Sequence, residues 1–259
     1  MKLSIVIPAR NEEGSIAETL AGLVNTTDSA SIAAEIIVVD DGSTDGTAQR
    51  VRGFSEQHPN VRLVENLGRN GFGMAVRTGL AHIGGDAVAI VMADGSDSPA
   101  DVVTYCRMLE EGSDCVFGSR FIRGARVVDY PAHKLVLNRF ANWFIRTIFG
   151  FRFNDITNAF KCYRREVIDG IQPLISPHFN LTVEMPLKAI VRGYSYAVVP
   201  ICWTNRKAGA SKLKIEEMGS RYLFIVMYIW LEKMLARGDY HRKHLAGKRQ
   251  EKGACIDRS

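Results

Sequence analysis

Val91-Met92-Ala93-Asp94-Gly95-Ser96-Asp97 closes an apolar run that begins at Ala87. A short, continuously apolar run bounded by a glycine turn reads as a buried strand. Here the strand gives way to a turn that carries two carboxylates, three residues apart. Open α/β sheets bind ligands outside the C-terminal ends of their strands. Carboxylates at that place can hold a hard divalent cation together with substrate phosphates. A second acidic strand end precedes it, Ile36-Ile37-Val38-Val39-Asp40-Asp41-Gly42-Ser43. The two ends together predict a site for a nucleotide diphosphate.

Around these ends the first 120 residues alternate strand and helix. The predicted strands are Leu3–Pro8, Ala34–Asp40, Val61–Glu65, Ala87–Asp94 and Asp114–Ser119, and the predicted helices are Glu12–Leu23, Asp45–Glu56, Gly73–His82 and Pro99–Glu110. Asp45 and Pro99 are suited to helix starts, one as a cap and one in the first turn. Such alternation predicts an α/β fold, a mostly parallel sheet covered by helices on both faces. Later, Lys134–Phe149 reads as a helix with an apolar stripe through Leu135, Leu137, Phe140, Ala141, Phe144, Ile145 and Ile148. Arg164–Gly170 and Leu181–Val191 read as further helices, and Tyr194–Trp203 as a strand.

Tyr222–Leu231 is an unbroken apolar run. It falls short of the roughly 20 residues a spanning helix needs. It fits a core helix, a subunit contact in a homo-oligomer, or a helix lying in a membrane interface. The net charge of +5 is unevenly placed. Residues 237–259 hold seven Lys or Arg against three acids, and residues 120–152 hold seven against one, Asp129. Two basic regions on an otherwise acidic chain predict anionic partners. A solvated surface explains the tail equally well. The expected division is a catalytic domain over 1–215, an apolar helix over 216–236 and a basic tail over 237–259.

Five scattered cysteines form no C-x-x-C pair, which predicts reduced thiols and no zinc site. The opening apolar run, Leu3 to Ile7, is too short for a signal peptide, so a cytoplasmic protein, peripheral at most on the inner face of a membrane, is expected. No G-x-G-x-x-G follows the first strand, which sets aside a plain NAD-binding reading.

Ile5-Val6-Ile7-Pro8-Ala9-Arg10-Asn11-Glu12 and Val39-Asp40-Asp41-Gly42-Ser43-Thr44-Asp45 resemble the opening of the family 2 glycosyltransferases, which have the GT-A fold. Asn70-Gly71-Phe72-Gly73 resembles their glycine-rich segment. Phe117–Phe121, Asn154–Lys161 and Gly209-Ala210-Ser211-Lys212 resemble the branch containing dolichyl-phosphate mannosyltransferases and polyprenyl-phosphate glucosyltransferases. The resemblance covers about residues 1–215. It implies inverting transfer of a hexose from a nucleotide diphosphate sugar, of the GDP-mannose or UDP-glucose type, to a polyprenyl-phosphate-like acceptor. It implies Mg²⁺ or Mn²⁺ as cofactor, and no nucleic acid as partner.

The resemblance also assigns residues. Pro8, Ala9, Arg10, Glu12, Asp40, Asp41, Gly71, Gly73 and Asp94 would meet the donor. Asp94 matches the second acid of the family's Asp-x-Asp metal motif, and Met92 replaces the first. A thioether is a poor ligand for these ions, which leaves Asp94 and Asp97 to hold one. Arg120, Lys134, Asn138 and Ser211 would hold the acceptor phosphate, with Lys and Asn where Arg and Ser are common. Asp155, Arg206 and Lys212 would complete the catalytic set with Asp94, and Glu184 would join it. Purely local roles compete at several of these positions: a helix cap at Asn11 and Glu12, a turn at Asp41 and Gly42, a helix-entry turn at Gly71 and Gly73, and a helix start at Asp97. Two rival functions remain. One is transfer to a soluble hydroxyl acceptor with Asp155 as general base. The other is a degenerate nucleotide-sugar-binding regulatory protein.

Overall fold

The computed structural model describes residues 1–205 and 215–243. Seven strands form one sheet in the order β3-β2-β1-β4-β7-β5-β8. These are β1 (Leu3–Ala9), β2 (Ala34–Asp40), β3 (Val61–Glu65), β4 (Ala87–Ile90), β5 (Cys115–Ser119), β7 (Lys161–Arg164) and β8 (Tyr196–Pro200). A separate parallel pair joins β6 (Arg126–Val128) to β9 (Cys202–Thr204). The helices are α1 (Ile16–Ser29), α2 (Thr47–Gln57), α3 (Phe72–Leu80), α4 (Pro99–Glu110), α5 (Ala132–Phe149), α6 (Arg165–Gly170), α7 (Leu181–Val191) and α8 (Ile215–Leu235).

The sheet is parallel except for β7, which runs antiparallel between β4 and β5. The chain leaves β1 toward β2 and β3, then returns to place β4 on the other side of β1. Strand order reverses there, so the crevice lies outside the C-terminal ends of β1 and β4, where a ligand site belongs. The central strands β1 and β4 are apolar except for Ser4, because helices cover both faces of the sheet. Leu3, Ile5 and Ile7 pack with α1 and α4 residues such as Leu20 and Leu109. Val6 points to the opposite face, among Val76, Phe117 and Leu187.

The expected α/β architecture is present, with local differences. The first helix starts at Ile16, because residues 11–13 are hydrogen-bonded to the 43–47 segment instead. Asp45 accepts from the Thr47 N–H at 3.0 Å and so steadies the start of α2. Pro99 opens α4 as expected. The strand predicted over 194–203 is two strands, β8 and β9, in different sheets. On α5 the inward face carries Asn142, Ile145 and Phe149, while Leu137 and Phe140 of the predicted stripe point outward.

α8 is not a separable appendage. Ile225, Val226 and Ile229 are buried in the same core as α5 and α7. Arg192 and Glu232 form a two-pronged ion pair at 2.8 and 2.9 Å that ties α7 to α8. Lys233 donates to the Phe149 carbonyl at the end of α5. The other face of α8 remains apolar and exposed. Among the described residues, no helix is long and apolar enough to cross a membrane.

Candidate active site

The first half of the site is built on the ends of β1, β2 and β4. Pro8 and Ala9 are buried strand residues, paired with Val39 and Asp40. After them the chain turns at Asn11, which has a φ of 53°. Asn is among the few residues that adopt this left-handed conformation readily. The turn is held by the second acidic end: the Asn11 N–H donates to the Ser43 hydroxyl at 3.0 Å, and the Thr44 N–H donates to Asn11 Oδ1 at 2.8 Å. The Glu12 N–H donates to the Thr47 hydroxyl at 2.9 Å. Arg10 stays exposed at this rim.

Asp40 and Asp41 diverge in role. Asp40 accepts two long bonds from the Ser43 N–H at 3.3 Å, so it shapes its own turn. Asp41 is buried, accepting from the Gly71 N–H at 2.8 Å and from Asn66 Nδ2 at 2.7 Å. It therefore latches the end of β2 to the glycine turn before α3. Gly71 has a φ of 153°, and a Cβ there would lie 2.4 Å from the Pro177 carbonyl. At Gly73 a Cβ would lie 2.3 Å from the Ser176 carbonyl. The space beside both glycines is filled by the 176–178 backbone, so their small size serves close packing. Phe72 stacks on Phe179, with centroids 4.2 Å apart.

The Met92–Asp97 turn faces α1. A cleft of about 460 Å³ lies between them, lined by Glu12, Ser15, Asp94 and Asp97 among others. Asp94 is half-exposed, and its Oδ1 accepts from the Ser96 N–H at 3.1 Å. Asp97 is buried and accepts from the Met92 N–H at 3.0 Å. Burial, and secondarily the nearby Asp94 charge, push the Asp97 carboxyl up to about 7. Asp97 thus closes the turn through one carboxylate oxygen.

The second half is built on β5, the 154–158 loop and α5. Asp155 is 0% exposed. Its Oδ2 accepts from Arg120 Nε at 2.8 Å and the Arg120 backbone N–H at 3.0 Å, and its Oδ1 accepts from an Arg120 Nη at 2.8 Å. The Arg120 side chain is 8% exposed. Burial opposes its charge, but Asp155 outweighs burial and raises its pKa further. The guanidinium lies 5.3–5.7 Å from the ring centroids of Tyr130, Phe121 and Trp203.

On α5, Asn138 donates to the Thr157 hydroxyl at 2.8 Å, and Asn142 donates to Asn138 Oδ1 at 2.8 Å. Lys134 lies one turn before Asn138, half-buried, and forms no ion pair with a described residue. Asp155 and Thr157 thus bring Arg120 and Asn138 to one loop. The two halves meet at β9: the Thr204 N–H donates to the Ser96 carbonyl at 3.0 Å, while the Trp203 ring faces Arg120.

Residues 4–171 match the Glycosyl transferase family 2 profile, more than half of the chain. The chain is a family 2 glycosyltransferase. It is 31% identical over 215 residues to the polyprenol monophosphomannose synthase of Mycolicibacterium smegmatis, an alignment covering 81% of this chain and 80% of that protein. It is 29% identical over 223 residues to the dolichol-phosphate mannosyltransferase of Pyrococcus furiosus, covering 83% of this chain and 60% of that protein. Its GT-A fold is similar to glucosyl-3-phosphoglycerate synthase of Mycobacterium tuberculosis in complex with Mn²⁺, UDP-glucose and phosphoglyceric acid. That match has a TM-score of 0.66 at 20% identity and covers 90% of this chain and 79% of that one.

Three expectations for this glycosyltransferase need correction or lie elsewhere. Glu184 is fully buried, accepting from the Ile175 and Ser176 N–H groups at 2.8 Å each and from Lys188 at 2.7 Å. It braces the 175–176 loop and has no oxygen left for a substrate. Asp155 has both oxygens committed to Arg120, which suits it to orient that cation. Arg206, Ser211 and Lys212 lie outside the described residues.

Other residues of the glycosyltransferase site escaped the sequence reading. Lys161 is buried and donates to the Ile156 carbonyl at 3.0 Å, the Thr182 carbonyl at 3.2 Å and the Asn158 carbonyl. Burial pulls its ammonium down to about 7. It clamps the loop that carries Asp155. Asn142 accepts from the Ile156 N–H at 2.6 Å on the same loop. A polar residue inside an apolar helical stripe was the available sign for Asn142.

Proposed function

We propose that this glycosyltransferase transfers a hexose from a nucleotide diphosphate sugar to a polyprenyl-phosphate-like acceptor, with inversion. The acceptor phosphate oxygen forms a bond to the anomeric carbon while the bond from that carbon to the diphosphate breaks. The nucleoside diphosphate leaves with the electron pair. A phosphate acceptor is already anionic at neutral pH, so the step needs no strong base. The observation that carries this reading is that the Arg120–Asp155 pair and Asn138 meet on one loop, across Trp203 from the Asp94 turn, with Lys134 one turn before Asn138 on α5. Arg120, Lys134 and Asn138 bind the acceptor phosphate, together with Ser211. Pro8, Ala9, Arg10, Glu12 and Asp40 form the donor wall, with Asp41 behind it holding the Gly71 turn, and Arg206 and Lys212 meet the leaving diphosphate.

The donor set suits an ion that arrives with the substrate. Mg²⁺ is commonly held by one or two carboxylates plus substrate phosphates. Among the described residues, no group of three His, Cys, Asp or Glu could hold an ion without such help. Asp94 would hold it, and the ion would supply charge neutralisation at the diphosphate.

The apolar faces of α5 and α8 support contact with a membrane surface, on the cytoplasmic side where the acceptor phosphate would be presented. Val136, Phe140 and Trp143 on α5 and Phe224, Met227 and Leu231 on α8 are exposed, Trp143 by 59% and Phe224 by 62%. Exposed patches of this kind mark interaction surfaces. The soluble-hydroxyl rival loses support because Asp155, its base, is spent on Arg120.

The test is a panel of nucleotide sugars, GDP-mannose and UDP-glucose included, incubated with polyprenyl phosphate and Mg²⁺ or Mn²⁺. Lipid-linked sugar is the expected product. Transfer only to water-soluble hydroxyl acceptors would refute the acceptor assignment. Binding of nucleotide sugar without any product would support the regulatory alternative.

A further inference from the structure

Tyr130 sits between β6 and α5, beside the acceptor patch. Asp129 before it has a φ of 56°, and Pro131 after it is the N-cap of α5. Asp is one of the few residues that tolerate such a φ. The segment is anchored through β6, which pairs with β9, and through Asn205, whose N–H donates to the Val128 carbonyl at 3.0 Å. The Tyr130 ring lies 5.0 Å from Trp203 and 6.3 Å from Phe121, centroid to centroid. The ring is therefore held in place by packing before any ligand arrives.

The hydroxyl is the informative part. Its oxygen accepts a long bond, 3.5 Å, from an Arg120 Nη. A phenol carries one donor hydrogen and two acceptor lone pairs. With Arg120 donating to the oxygen, the phenolic hydrogen is left to point at a further acceptor, and none of the described residues supplies one. Burial raises the Tyr130 pKa, so the hydrogen is present at neutral pH. The neighbouring donors are partly spent: Arg120 gives three N–H groups to Asp155, and Asn138 gives one to Thr157. Lys134 offers a point charge with little directionality.

We propose that the Tyr130 hydroxyl donates a hydrogen bond to the acceptor phosphate, as a ligand beside Arg120, Lys134 and Asn138. This assignment rests on the lipid-phosphate reading above. It gives the patch a directional neutral donor where a lysine stands in place of the family's arginine.

The test uses Tyr130→Phe in the full chain, which removes the hydroxyl and keeps the ring. Citronellyl phosphate serves as a short soluble acceptor. Its binding is measured by calorimetry, independently of turnover, with citronellol as the uncharged control. Hydrogen bonds to charged groups predict about tenfold or more loss of citronellyl phosphate affinity. The acceptor KM rises by a similar factor, the donor KM stays unchanged, and the thermal midpoint stays within about 2 °C of the parent. Parent-like phosphate affinity in the variant would overturn the assignment. An equal loss for citronellol would also overturn it, since the effect would then be packing. If the parent binds citronellyl phosphate tightly without transferring sugar to it, the proposed reaction fails, and the affinity ratio still decides the role of Tyr130. If the parent does not bind it at all, both fail.

Discussion

Asp155→Asn separates a positioning carboxylate from a catalytic base. The substitution keeps one oxygen, which can still accept from Arg120 Nε and the Arg120 backbone N–H. The other oxygen becomes an amide NH₂ facing an Arg120 Nη that now sits 2.8 Å from Oδ1. That donor meets a donor, and the guanidinium, 8% exposed as a side chain, loses its counter-charge. Breaking a buried ion pair from one side costs about 3–5 kcal/mol. For a chain of this size each kcal/mol shifts the melting temperature by roughly 2–4 °C, so a fall of about 10 °C is expected. Differential scanning calorimetry measures the fall. Transfer assays well below the new midpoint then report catalysis. The acceptor KM should rise steeply, because Arg120 is no longer aimed, while kcat at saturating acceptor falls by less than about tenfold. An unchanged melting temperature with a thousandfold loss of kcat would refute this reasoning. Asp155 would then be a base, and the soluble-hydroxyl rival would return.

Other outcomes follow from the same geometry. Asp94→Asn should abolish transfer and weaken metal-dependent nucleotide binding, whereas Met92→Asp should tighten Mn²⁺ binding by restoring a second acid; calorimetric titration with Mn²⁺ and nucleotide checks both, and full activity of Asp94→Asn would remove the metal assignment. Lys134→Ala should raise the acceptor KM about tenfold or more while sparing the donor KM, and equal effects on both substrates would move this patch to the donor side. The Asp97 carboxyl has a folded pKa of about 7 against 3.8. The folded state holds its proton more tightly, so the associated stability is present below pH ~4 and is lost as pH rises through ~7. Asp97→Asn should therefore lose less thermal stability than the parent between pH 5 and 8, and parallel losses would count against the titration. Phe224→Glu combined with Trp143→Glu should reduce co-sedimentation with anionic vesicles and spare nucleotide binding; undiminished vesicle binding would leave the exposed faces of α5 and α8 without a membrane role.

The sequence by itself determined the first five strands of the main sheet and the place of the site. Apolar runs at Leu3, Ala34, Val61, Ala87 and Cys115 alternate with helix-period segments, and local chemistry punctuates them, as with Pro99 at the start of α4. Acids at the ends of β2 and β4 therefore marked the crevice before any contact was known. Tertiary structure decided what each of those acids does. Asp40, Asp41, Asp94 and Asp97 look alike in a string, yet Asp41 binds the Gly71 N–H while Asp97 binds the Met92 N–H inside the turn. A carboxylate's role depends on which donors come within about 3 Å, and those donors lie 30 residues away for Asp41 and 35 for Asp155. The same limit hid β7. Its four residues, with Lys161 at one end and Arg164 at the other, carry no strand periodicity, and only β4 and β5 on either side make them a strand. The two faces of α8 were equally illegible. Tyr222–Leu231 is apolar all round, and only the packing of α5 and α7 against Ile225, Val226 and Ile229 selects the buried side and leaves Phe224, Met227 and Leu231 outward.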